Sequence, residues 1–148
     1  MRFFIGLALL GALLAGGGCT VIRELPREEA AKQPSGIEYE LSKRLLEAFL
    51  KNDGKDFIAC LPEETQKNLD LKGFATFRKS IIESLGEPIS YQYVTALELT
   101  VFTPHIWKIR FRRTDRRTQE EFTSEALFRV ITGKTKKDEA VITGFQFI

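Results

Sequence analysis

The 148-residue sequence predicts an α+β fold, with N-terminal helices packed on a four-stranded antiparallel sheet. Three observations carry that expectation. Apolar residues recur at helical spacing between 37 and 86, the period changes to two from Pro88 onward, and an apolar, nearly uncharged leader precedes both. A run of helices followed by a meander of strands is the α+β layout.

The leader reads "MRFFIGLALLGALLAGGGC". One positive charge, Arg2, precedes an apolar run from Phe3 to Ala15. A membrane-spanning helix needs roughly 20 apolar residues, so the run is short for that role. A basic start, a short apolar centre and small residues before a cut describe a secretory signal peptide, here 1–18. Gly16, Gly17 and Gly18 let the backbone lie extended in a peptidase groove without side-chain clash.

These residues resemble the signal of bacterial lipoproteins, in which an aliphatic residue and two small residues precede an invariant cysteine. The cysteine falls on Cys19 and the two small positions on Gly17 and Gly18, while Gly16 stands where leucine is usual. The resemblance implies lipidation of Cys19: a diacylglyceryl thioether, cleavage before it, and acylation of the new amino group. Two or more acyl chains anchor stably where one does not. Thr20 in place of aspartate implies, by the same resemblance, a lipid-anchored protein of the outer membrane facing the periplasm.

Residues 19–36 then read as the lipidated N-terminus and a flexible tether. "TVIRELPREEAAKQPSG" is charged, holds two prolines and carries no sustained apolar stripe. As a coil, its seventeen residues average roughly 20–25 Å end to end. One domain, 37–148, follows.

Composition narrows the function classes. Of 22 basic residues one, Arg2, lies in the leader, and the other 21 face 20 acidic residues. Net charge therefore gives nucleic-acid binding no support. With Cys19 lipidated, Cys60 in "DFIACL" has no partner for a bridge, and it reads as a small buried hydrophobe. One histidine and two cysteines do not make a metal site, and neither metal nor cofactor is expected.

Within the domain, Leu41, Leu45, Ala48 and Phe49 share one helical face, which predicts an amphipathic helix over 37–52. "NDGKD" ends it, and a short helix follows near Lys55–Cys60. Pro62 opens another turn with Glu63 and Glu64 where the helix dipole favours them. In "GFATFRKSIIESLG", Phe74, Phe77, Ile81 and Leu85 line one face and Gly86 closes the helix.

Four strands are expected at about 89–101, 106–114, 119–131 and 138–147. With "TPH" (103–105) as a three-residue loop, Val101 faces Trp107, Leu99 faces Ile109, Leu97 faces Phe111, and Glu98 lies opposite Arg110. With "DRRT" (115–118) as the next loop, Phe111 faces Phe122, Trp107 faces Ala126, Arg112 meets Glu121, and Lys108 meets Glu125. Both hairpins then put the apolar residues on one face and opposite charges on the other. The basic run "KIRFRR" becomes a solvated, ion-paired sheet face instead of an anion patch.

The region 37–148 resembles the nuclear-transport-factor-like superfamily, also called ketosteroid-isomerase-like or cystatin-like. The likeness rests on "LLEAFLKNDGKDFIACLPEE", then "FRKSIIESLGEP", then long strands ending "VITGFQFI". It implies a curved, cone-like sheet wrapping a long helix, with a pocket at the open end. Enzymes of that superfamily place an acid or base and hydrogen-bond donors there.

Candidates for such chemistry are few. Asp53 and Asp56 lie near helix ends, Glu98 is on the charged face, and His105 reads as a turn residue. Tyr91, Tyr93, Trp107 and Phe128 are the candidate ligand-binding side chains. No pairing of base and oxyanion donor is apparent. The expected function is a non-catalytic envelope interaction module. The alternatives are a binder of small apolar ligands and an isomerase- or hydrolase-like enzyme. Expected partners are the membrane, through the lipid on Cys19, and an envelope protein, the cell wall, or a second copy through the sheet.

Overall fold

Two aspartates fix where helices begin. The Asp53 carboxylate accepts from the Asp56 N–H at 3.0 Å, and the Asp70 carboxylate from the Gly73 N–H at 2.7 Å. Each satisfies a first-turn donor that the helix itself leaves free. The computed structural model describes residues 34–115 and 117–148. Cys19, the leader and the tether up to residue 33 lie outside the described residues.

The helices are α1 (Ile37–Leu50), α2 (Gly54–Ala59), α3 (Glu63–Gln66) and α4 (Leu71–Leu85). The strands are β1 (Glu87–Ala96), β2 (Phe102–Thr114), β3 (Glu121–Lys134) and β4 (Ala140–Phe147), paired antiparallel in the order β1-β2-β3-β4. Register shifts between Pro88 and Ser90, Tyr93 and Thr95, and Ile131 and Thr132 bend the sheet.

Helix α1 buries Ser42, Leu45, Leu46, Ala48 and Phe49 against the concave face. Helix α4 buries Phe74 fully and packs Phe77, Ile81 and Leu85 on the same core. Phenylalanines fill the space between the layers. Phe49 lies 5.4 Å from Phe147 and 6.2 Å from Phe128 between ring centroids, and Phe57 lies 5.2 Å from Phe145. Such ring pairs add to the area each ring removes from water. Arg78 ties α4 to α1, its Nε donating to the Phe49 carbonyl at 3.0 Å.

The strand register differs from the sequence expectation in two ways. Between β2 and β3 the pairing is offset by two residues: Trp107 lies opposite Phe128, Phe111 opposite Ser124, and Arg110 opposite Glu125. The loop is longer because the Asp115 carboxylate accepts from the N–H groups of Arg117 (2.8 Å) and Thr118 (2.9 Å), folding the turn around itself. An offset of two keeps every side chain on its face. The ion-paired outer face therefore survives with new partners: Lys108 and Arg110 both reach Glu125. Phe122 is displaced past the core to a position opposite Arg113, where it is exposed.

Between β1 and β2 the difference is larger. Tyr93 pairs with Trp107, Tyr91 with Ile109 and Ala96 with His105. The strand begins at Glu87 and ends at Ala96, so Leu97, Leu99 and Val101 form the connection and are exposed. Glu98 does not meet Arg110. "TPH" belongs to β2, and His105 is a buried strand residue, not a turn residue. Pro104 has no N–H to give the ladder, but it stands where β1 has ended, and its carbonyl still accepts from Leu97 at 3.0 Å.

Candidate functional site

The register places three of the expected ligand-binding side chains in one aromatic cluster. Tyr91 and Tyr93, on β1, flank Trp107 on β2, with ring centroids 6.0 Å and 4.8 Å away. Helix α1 adds a residue that the sequence pattern did not single out. Tyr39 stacks on Trp107 at 5.4 Å and meets Tyr93 edge-on at 5.2 Å. Phe128, directly across from Trp107, is fully buried and packs on Phe49 and Phe147. Tyr91 is exposed and Tyr93 half-buried, so the cluster runs from the surface into the core.

The Tyr91 and Tyr93 hydroxyls each have a partner. The Tyr91 hydroxyl donates to Glu47 Oε1 at 2.6 Å. That bond, reinforced by burial, pushes the Tyr91 phenol up to about 12. The same bond, with help from Lys51, draws the Glu47 carboxyl below its usual range.

Tyr93 stands at the head of a polar chain through the sheet. Its hydroxyl lies 3.4 Å from His105 Nδ1, His105 Nε2 lies 3.1 Å from Thr132 Oγ1, and Thr132 Oγ1 lies 3.1 Å from Glu38 Oε1. One assignment satisfies all three contacts. Tyr93 donates to Nδ1, Nε2–H donates to Thr132, and Thr132 donates to the Glu38 carboxylate. This requires a neutral imidazole. Burial lowers the His105 pKa, with Glu38 pulling partly the other way. His105 and Thr132 are both buried, so their mutual bonding is what makes their burial tolerable.

The chain does not activate a nucleophile. Burial raises the Tyr93 pKa, so its phenol keeps its proton at neutral pH. The two carboxylates near helix ends are also engaged. Asp53 caps α2, and Asp56 is paired with Arg44 through both guanidinium Nε contacts, at 3.0 and 3.2 Å. Cys60 is buried in the core, and loss of solvent pushes its thiol up to about 11.

One polar atom in the cluster stands out. Among the described residues, Trp107 Nε1 is buried without a hydrogen-bond partner. A cleft of about 270 Å³ opens beside Tyr91, lined by Glu47, Leu50, Lys51, Pro88, Ile89 and Ser90. A larger one, about 660 Å³, lies between α4 and the β2–β3 turn, lined by Ile82 and by polar residues including Glu83, Arg113, Asp115 and Arg117.

No local sequence pattern marks Glu38, Tyr39 or Thr132. Their roles depend on α1 crossing the sheet at Thr132, a contact 94 residues apart in the chain.

No protein-family model matches the sequence, and no curated protein matches it. Solved structures do match. A ketosteroid isomerase-like protein from Erwinia carotovora superposes with a TM-score of 0.53 at 12% identity, covering 75% of this chain and 92% of its own. A protein from Shewanella frigidimarina, provisionally termed a ketosteroid isomerase, gives a TM-score of 0.50 at 9% identity, covering 77% and 96%. The fold is thus the ketosteroid-isomerase-like cone, helices packed in a curved, open antiparallel sheet. At these identities the likeness concerns the fold, and the chemistry has to come from this chain's own residues.

Proposed function

We propose that this protein is a lipid-anchored component of the bacterial cell envelope whose cone-fold domain is a non-catalytic interaction module. The observation that carries the second half is the filled interior. Phe49, Phe57, Phe111, Phe128 and Trp107 are all buried, and they belong to the one core that the helices and the sheet share. Of the candidate carboxylates, Asp53 is committed to capping and Asp56 to ion pairing with Arg44. The anchor rests on "GGGC" ending at Cys19 after a short apolar run, with location in the outer membrane facing the periplasm following from Thr20.

A second reading is favoured by one observation. The unpartnered Trp107 Nε1, beside Tyr39, Tyr91 and Tyr93, offers a hydrogen bond to an acceptor on a small, mainly apolar ligand. Native mass spectrometry of the protein purified from its own envelope separates the two. The interaction module gives the mass of the acylated polypeptide alone. A reproducible added mass that is lost in Tyr93→Ala would replace it with the ligand binder. Labelling with a radioactive fatty acid tests the anchor: the wild type takes up label and Cys19→Ala does not. An unlabelled wild type would overturn anchoring.

A further inference from the structure

The connection between β1 and β2 is unusual for a hairpin end. Leu97 N–H bonds to the Pro104 carbonyl at 3.0 Å and Leu99 N–H to the Phe102 carbonyl at 3.2 Å, which makes Leu99–Thr100–Val101–Phe102 the tip. Tips are ordinarily built from Gly, Pro, Asn, Asp and Ser. Here Leu97 is 53% exposed, Leu99 59%, Val101 66% and Phe102 45%. Val94, at the β1 bulge, is exposed beside them. Contiguous apolar surface of this kind marks a contact with something else.

Three other features lie at this same end. Phe102 pairs with Gly133, so the β3–β4 turn, with exposed Lys136 and Lys137, is next to the tip. Glu38 reaches Thr132, so α1 also begins here, with Ile37 exposed. The chain preceding Pro34 therefore joins the domain at the end that carries the apolar tip. On the anchoring proposed above, only 14 residues separate the acylated Cys19 from Pro34 along the chain. A coil of that length spans about 20 Å.

We propose that this end docks on the phospholipid bilayer that holds the chain's own anchor, with Leu97, Leu99, Val101 and Phe102 entering the headgroup–acyl boundary. The proposal rests on anchoring at Cys19. Apolar area drives the contact, not net charge: Lys134 is paired with Asp138 at 2.9 Å, and Glu98 and Glu139 offset Lys136 and Lys137. Docking fixes the orientation of the domain. The β2–β3 turn and the polar cleft beside it then point away from the membrane, toward the rest of the envelope.

The test compares two tryptophan variants of the full acylated chain, Leu99→Trp at the tip and Thr118→Trp at the opposite turn. Each is reconstituted in vesicles of phosphatidylethanolamine and phosphatidylglycerol brominated on their acyl chains. Trp107 is buried in both and contributes a common background. Docking predicts a blue shift and strong quenching at position 99 and neither at 118. Replacing Leu97 and Val101 by Asp should cut the quenching at 99 about tenfold, the scale of withdrawing two half-buried aliphatic side chains. Equal quenching at 99 and 118, with the protein still on the vesicles, overturns docking and leaves anchoring intact. A chain without acyl groups overturns anchoring instead. The same pair, mixed with the vesicles, then still decides: equal quenching overturns docking, and quenching confined to 99 supports it.

Discussion

Replacing Gly86 with alanine probes the joint where α4 hands over to β1. Gly86 has φ +100° and ψ −171°, a backbone region that is essentially restricted to glycine. Holding another residue there costs about 1–3 kcal/mol. A β-carbon at this position would also sit 2.3 Å from the Arg112 carbonyl oxygen and 2.7 Å from its carbon. Those atoms belong to the β2 backbone, opposite Glu87, and cannot swing aside. Forcing such an overlap to relax costs about another 1–3 kcal/mol. The expected total is about 2–6 kcal/mol, set against about 6–17 kcal/mol for a domain of this size. In a thermal melt, each kcal/mol corresponds to about 3–6 °C. Gly36→Ala is the internal control, because its φ is +136° but no atom lies within 4 Å of the added carbon. It bears the strain without the overlap, and its loss should be the smaller. Urea unfolding of both variants measures the difference directly. A Gly86→Ala loss below about 1 kcal/mol would refute the reasoning, since the strain alone should exceed it.

Other consequences are equally open to measurement. A double-mutant cycle on Arg110 and Glu125 should give a coupling of about 0.2–1 kcal/mol, small because both side chains are half exposed, whereas a cycle on Glu98 and Arg110 should give none; the opposite result would restore the longer β1 strand. His105 should make the domain acid-sensitive. Its folded pKa lies below that of the unfolded chain, so the unfolded state binds more protons, and stability falls as pH drops from about 6.5 through the folded value. In His105→Asn that part of the slope should vanish, and identical pH profiles for the two proteins would exclude the neutral, buried imidazole. The Cys60 thiol should react with a disulfide reagent only as fast as the domain opens, because it is buried and its pKa is pushed up to about 11; fast labelling at neutral pH would contradict its place in the core.

Much of the architecture could be read from periodicity, and the failures have a common cause. The stripes of Leu45, Ala48 and Phe49 on α1, and of Phe74, Phe77, Ile81 and Leu85 on α4, lie against the core because a helix has one way to present a continuous apolar face. The β2–β3 pairing was displaced by two residues, an error to which alternation is blind, since any even shift preserves the two faces. The β1–β2 pairing went further astray. Leu97, Leu99 and Val101 alternate with Glu98 and Thr100 as a half-buried strand would, but alternation reports a pattern and not what covers it. Among the described residues these side chains stay more than half exposed, and "TPH", which looks like turn chemistry, is strand. At the candidate site, Tyr91, Tyr93 and Trp107 are brought together, while the polar chain through His105 and Thr132 to Glu38 depends on how α1 crosses the sheet. That crossing is a tertiary contact with no local signature.

The most direct test of the account is the intact mass of the mature protein isolated from its own membrane, followed by fragmentation of its first residues. A lipid-anchored envelope protein begins at Cys19, carrying a diacylglyceryl group on Sγ and an acyl chain on the amino group. A mature chain with an unmodified Cys19, or one that retains Met1 and the apolar run, would contradict it.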